Sequence, residues 1–120
     1  KSYNNLDEAL KASEESGKPV FISFKSHTCS VCKVMEATVL NDLAILNKLG
    51  SEFVIANLYV DDKTPDSDYK TLGRKFRQYE MEKFGSASQP LYAIIDKNGV
   101  TLSGPIGNSS LEEFGAFLNY

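Results

Sequence analysis

The sequence predicts an α/β domain built on a mixed β-sheet with helices on both faces. Three observations carry that expectation. Residues 20–24 and 53–60 are short, nearly continuous apolar runs, the pattern of strands covered on both sides. A helical pattern precedes the first run and another separates it from the second. Asn98-Gly99 is the residue pair a tight hairpin favours, which joins a third strand antiparallel to a fourth.

Taken in order, the first helix starts from Asn5 as N-cap, with Glu8 three residues on as capping-box partner. It carries Leu6, Ala9, Leu10 and Ser13 on one face and stops at Gly17. Lys18-Pro19 then leads into the first central strand, 20–24. After Lys25-Ser26-His27-Thr28 a helical pattern runs from Cys29 through Val34, Met35 and Val39 to Leu40, and Asn41-Asp42 caps a further helix, 43–49, with Gly50 as its stop. The second strand, 53–60, ends at Asp61-Asp62. Residues 63–69 read as a loop, and 70–84 as a charged helix with Leu72, Phe76, Tyr79 and Lys83 on one stripe and Gly85 at its end. The third strand is 91–95, turned by a type I′ hairpin at Asn98-Gly99 into 100–102. Ser110-Leu111-Glu112-Glu113 signals a second capping box and a last helix, with Leu111, Phe114 and Leu118 facing inward.

The 120 residues suit one domain, 1–120, of average composition, 42% hydrophobic and 24% charged. A domain of this size buries about two thirds of its unfolded surface, so it needs no disulfide framework or structural metal to fold. Its two cysteines, Cys29 and Cys32, exclude a multi-bridge scaffold and a four-cysteine zinc ribbon. A net charge of −3 is the wrong sign for a phosphate-binding surface, so no nucleic acid partner is expected. No apolar stretch reaches the roughly 18 residues that span a bilayer. The chain begins at Lys1 rather than methionine, consistent with a leader, an anchor or neighbouring domains upstream.

Cys29-Ser30-Val31-Cys32 lies where the first central strand hands over to a helix. Helical Cα atoms at i and i+3 are about 5–6 Å apart, inside the window a disulfide tolerates, so the pair opens and closes without moving the backbone. Cys29, at the helix N-cap, faces unpaired N–H groups and the positive end of the helix dipole, which favour its thiolate. That marks Cys29 as nucleophile and Cys32, one turn inside, as the thiol that resolves a mixed disulfide. Two other uses of the pair stay open here: a zinc site, for which only His27 is a nearby extra ligand, and a purely structural disulfide, which closes too small a loop to stabilise much. His27 reads as an exposed loop residue, with stabilisation of the Cys29 thiolate as the alternative.

The residues also carry a family resemblance. The strand 20–24 running into Cys29-Ser30-Val31-Cys32-Lys33, then Lys83-Phe84-Gly85, Pro90, Asn98-Gly99 and Gly107, resembles the thioredoxin superfamily over nearly the whole chain. Gly17-Lys18-Pro19-Val20, Glu36 four residues past Cys32, and Tyr59-Val60-Asp61-Asp62 narrow the likeness to the C-terminal thioredoxin-like domain of DsbD-type thiol:disulfide interchange proteins.

The resemblance implies a thiol:disulfide oxidoreductase acting as a reductase of protein disulfides on the extracytoplasmic, periplasmic side of a bacterial membrane. It needs no cofactor and no metal. Its partners are disulfide-containing protein substrates and an upstream thiol electron donor, such as a membrane-embedded domain, and a monomer is expected. A disulfide isomerase or oxidase, and a redox-inert partner-binding module, are the alternatives. Pro90 resembles the family's cis-proline, with Gln89 left free to pair with an extended substrate, and Thr28 and Val31 complete the groove. Thr28 stands where the family has tryptophan, and Ser23 where it has a buried acid. Glu36, on one helix face with Cys32, is the candidate to accept the proton in its place.

Overall fold

Two apolar clusters on opposite faces of one sheet organise the molecule. The structure, a computed structural model, describes residues 2–120. Five strands form the sheet: β1 (Ser2–Tyr3), β2 (Val20–Lys25), β3 (Val54–Tyr59), β6 (Leu91–Ile95) and β7 (Thr101–Ile106), with β4 (Pro65–Asp66) and β5 (Lys70–Thr71) making a separate small hairpin. The sheet order is β1-β3-β2-β6-β7, with β1 and β2 parallel to β3, and β6 antiparallel to both β2 and β7. The helices are α1 (Leu6–Ser16), α2 (Ser30–Thr38), α3 (Leu43–Glu52), α4 (Leu72–Phe84) and α5 (Leu111–Leu118).

Alternation along β2 decides which residue meets which layer. Phe21 points into the cluster of Met35, Val39, Ile45, Leu49 and Phe114, which α2, α3 and α5 supply. Val20, Ile22 and Phe24 point into the other, with Ala9 from α1 and Phe76 from α4. Both faces of β2 and β6 are therefore covered, as their unbroken apolar runs require. Ser23 shares the Phe21 face, is buried, and lies opposite Tyr92 of β6.

Several local expectations are revised. Asn5 caps α1 by accepting from the Asp7 and Glu8 N–H groups, but no reciprocal Glu8 bond completes a capping box. Gly50 does not stop α3, which continues to Glu52. Its backbone has no left-handed φ, and Leu49 and Phe53 anchor the turn in the core, which outweighs the roughly 1 kcal/mol that a helical glycine costs. Residues 63–69 are not wholly loop. Asp66 Oδ2 accepts from the N–H groups of Asp68 and Tyr69 and, with Lys70 at φ +72°, closes the β4–β5 hairpin.

The turn after β6 is not type I′, because of its two central residues only Gly99 has a positive φ. Asp96 C=O accepts from Gly99 N–H at 3.0 Å, and the Asp96 carboxylate accepts from the N–H groups of Asn98 and Val100. This is a three-residue hairpin with Gly99 in the left-handed position. The last helix has its capping box between Ser110 and Glu113, but Leu111 is exposed and Phe117 takes the inward place. Gly104 in β7 has φ +89°, and a Cβ there would lie 2.9 Å from both the Phe117 ring and the Tyr92 carbonyl oxygen. That close approach lets α5 pack on the β6–β7 edge.

Candidate active site

Cys29 is the N-cap of α2, in extended conformation, and its Sγ accepts the Cys32 N–H at 3.1 Å. The same N–H that satisfies the first turn of the helix is thus already aimed at the sulfur where negative charge would develop. The two sulfurs are joined in a disulfide, with Cα atoms 5.3 Å apart. Cys29 is partly exposed and Cys32 is 2% exposed, so a bulky partner reaches only the first sulfur. Val31 and Val34 are exposed on the outer side of the same helix, and Thr28 is exposed just before it.

The approach to the helix is pinned. Asp61, just past β3, accepts the His27 N–H at 2.9 Å and lies 3.1 Å from His27 Nδ1, while the imidazole stacks on Tyr59 with ring centroids 4.2 Å apart. Partial desolvation pushes the Asp61 carboxyl up, but the bonds from the His27 backbone and ring outweigh it and hold the group below its ordinary value. His27 is solvent-exposed, as the sequence suggests, yet it fastens the Cys29 loop to the end of β3. The pairing is invisible in sequence, since its members stand 34 residues apart.

Glu36 is half-buried and ion-paired with Lys25 Nζ at 2.5 Å. Lys25 in turn lies 5.3 Å above the Tyr59 ring. Because Lys25 shares its face of β2 with Ser23 and Phe21, this pair sits on the α2 face of the sheet. The hydroxyl of Tyr92, beside Ser23, is pushed far above its ordinary value by burial and further by the Glu36 carboxylate. Glu36, Tyr92 and Ser23 therefore share the space behind the reactive helix.

The Gln89–Pro90 peptide bond is cis, as is Gly104–Pro105 in β7. Phe24 pairs with Leu91, the last pair of the β2–β6 ladder, so Pro90 and Gln89 precede the strand at the end of β2 that runs into Cys29. Pro90 is buried and Gln89 half-buried, and no other backbone group among the described residues takes up the Gln89 main chain. The residue that sequence reasoning overlooked is Glu80. The stripe on α4 continues through Phe76 to Glu80, which is 0% exposed, whereas Lys83 is exposed. The four-residue spacing Phe76, Glu80, Phe84 was the available signal. Among the described residues no helix is long and apolar enough to cross a membrane.

Comparison with known proteins agrees with this geometry. A family model for a thioredoxin-like domain matches residues 6–120. The chain belongs to the thioredoxin-like family. Among solved structures, a thioredoxin from Thermus thermophilus is similar at 24% identity, TM-score 0.73, covering 99% of this chain and 84% of that one. The reduced DsbD C-terminal domain of Neisseria meningitidis is similar at 21% identity, TM-score 0.69, with 95% and 91% covered. A disulphide isomerase from Xylella fastidiosa Temecula1 is similar at 14% identity, TM-score 0.67, with 96% and 88% covered. No curated protein matches. At these identities the solved structures share the fold, and on that fold this thioredoxin-like chain carries a Cys-x-x-Cys disulfide, the equipment of a thiol:disulfide oxidoreductase.

Proposed function

We propose that the chain is a reductase of protein disulfides working through Cys29 and Cys32. The observation that carries this reading is the asymmetry of the pair: Cys29 caps the helix, accepts the Cys32 N–H and is partly exposed, while Cys32 is buried behind it. The Cys29 thiolate attacks one sulfur of a partner disulfide, forming a mixed disulfide and releasing the partner's first thiolate. The Cys32 thiolate then attacks Cys29 Sγ, forming the Cys29–Cys32 bond and releasing the second. Two electrons pass to the partner, and an external thiol donor returns two to the pair.

Glu36, held by Lys25 behind α2, accepts the Cys32 proton before the second step, in the place where Ser23 offers no carboxylate. Thr28, Val31, Gln89 and Pro90 form the docking groove, with the free main chain of Gln89 as the edge an extended partner pairs with. Likeness to the DsbD C-terminal domain supports a periplasmic setting with a membrane-embedded donor domain and protein substrates. In this reading the chain works as a monomer.

The test is trapping. Cys32→Ser is expected to accumulate covalent adducts with disulfide-containing proteins through Cys29, seen as bands that vanish on reduction, and Cys29→Ser to form almost none. Equal, reductant-insensitive binding by both variants would instead identify a redox-inert binding module.

A further inference from the structure

Glu80 is a carboxyl group in an apolar stripe with too few partners. It stands one turn from Phe76 and one turn from Phe84 on the inward face of α4, and Phe24 of β2 packs against Phe84 with ring centroids 5.8 Å apart. Acidic side chains are almost never fully buried unless paired. Among the described residues Glu80 forms no salt bridge, its Oε1 accepts from Gln89 Nε2 at a long 3.4 Å, and its Oε2 has no partner. The same Gln89 amide donates to Ala87 C=O at 2.8 Å, so one side chain ties the interior carboxyl to the segment leading into Pro90.

An apolar residue at this position would avoid the cost of an unsatisfied buried oxygen. Burial instead pushes the Glu80 carboxyl up to about 7, with the Gln89 bond and the Arg77 charge pulling the other way. Arg77 is on the same helix. From outside α4, Gln89 faces the carboxyl and does not titrate, and Asp62 lies by Gly73 at the far end of the helix; on α4 itself the Tyr79 hydroxyl, raised by burial, stays protonated.

The two protonation states ask different things of Gln89. An ionised carboxylate only accepts, and suits an amide that donates to Glu80 and Ala87 alike. A protonated Glu80 still offers Oε1 as an acceptor, but a neutral oxygen holds the Gln89 N–H less strongly than a carboxylate does, and an O–H on Oε2 has no acceptor among the described residues. We propose that Glu80 is a positioning residue for the substrate-docking edge: through Gln89 it holds the segment 87–90, and its proton changes that hold. The consequence falls on disulfides that must pair with the edge, so Glu80 separates protein substrates from small ones. This rests on the reductase reading above.

The experiment compares rates of reduction of insulin, a protein disulfide, and of oxidised glutathione between pH 5.5 and 8.5, in the full chain and in Glu80→Gln. The expected result is an insulin-to-glutathione rate ratio that changes about 2–5-fold through an inflection near neutral pH, the size of one altered hydrogen bond, and is flat in Glu80→Gln. Gln89→Leu, which removes the side chain that links the carboxyl to the segment, is expected to flatten the ratio as well. If Glu80→Gln does not fold, the flattened ratio in Gln89→Leu decides. A flat ratio in the parent, or an inflection that persists in Glu80→Gln or in Gln89→Leu, would overturn the proposal. Failure of the parent to reduce either disulfide would overturn the reductase reading instead.

Discussion

Two glutamates approach the reactive end of the sheet from opposite faces, and their surroundings are opposite too. Glu36, on α2, is half-buried and gripped by Lys25 at the mouth of the layer. Glu80, on α4, is fully buried between phenylalanine turns and has one weak amide bond. The first has a cation beside it where water still reaches it; the second faces an apolar wall that gives it a reason to stay neutral. Identical side chains thus come to differ in role: the outer one can receive a proton during exchange, and the inner one can sense whether a proton is present.

The largest expected break in this comparison is in stability against pH. Glu80 is raised from 4.5 to about 7 in the folded chain, so folding takes up a proton between those values. Its contribution is full below about pH 4.5 and is lost as pH rises through about 7. At about 1.4 kcal/mol per pKa unit, the rise from 4.5 to about 7 amounts to about 3.5 kcal/mol. Urea unfolding at pH 4.5 and pH 8 measures it: Glu80→Gln should gain on the parent at the higher pH by about that amount, and Glu36→Gln should show no such gain. Parallel curves for Glu80→Gln and parent would place the inner carboxylate among ordinary solvated ones.

A smaller effect of opposite sign is expected on the outer face. Asp61 is held below its ordinary 3.8 by His27, so its contribution is present above that pH and is lost as pH falls through the lowered value. Because the pair is well exposed, Asp61→Asn should cost below about 1 kcal/mol at pH 7. The difference in melting temperature between Asp61→Asn and parent should vanish under strongly acidic conditions, and its persistence there would mean that the loop is pinned by something other than this carboxylate.

The smallest effect belongs to the Lys25–Glu36 pair, where Lys25→Met or Glu36→Gln should change stability by a few tenths of a kcal/mol, less still in molar salt. That small cost is useful: a slowed Cys32 step in Glu36→Gln, followed by rapid mixing, then reports the proton transfer rather than loss of fold. An unslowed step would remove Glu36 from the mechanism.

The parts of the fold that were legible in the sequence are those whose determinants are local. Apolar runs marked β2, β3 and β6, Gly17 and Gly85 end α1 and α4 in left-handed conformations, and Ser110 with Glu113 marks α5. Cys29 and Cys32 were legible because three residues of helix suffice to bring two sulfurs together. Where several local signals competed, the core chose among them: Gly50 remained helical because Leu49 and Phe53 were anchored, and the Asp96 carboxylate selected a three-residue turn over the tight pair that Asn98-Gly99 suggested.

By itself, then, the sequence determined the order of the five helices and of the longer strands β2, β3, β6 and β7, the helix-capping sulfur and the apolar stripes, because each depends on neighbours within about one turn or one hairpin, while the short strands β1, β4 and β5 escaped it. Only the tertiary structure decided which carboxylate meets water, which meets Gln89, and which fastens His27 across 34 residues. Those outcomes depend on what the opposite element contributes to the same few ångströms. Solvation and charge pairing are properties of that shared space, and a one-dimensional pattern does not contain it.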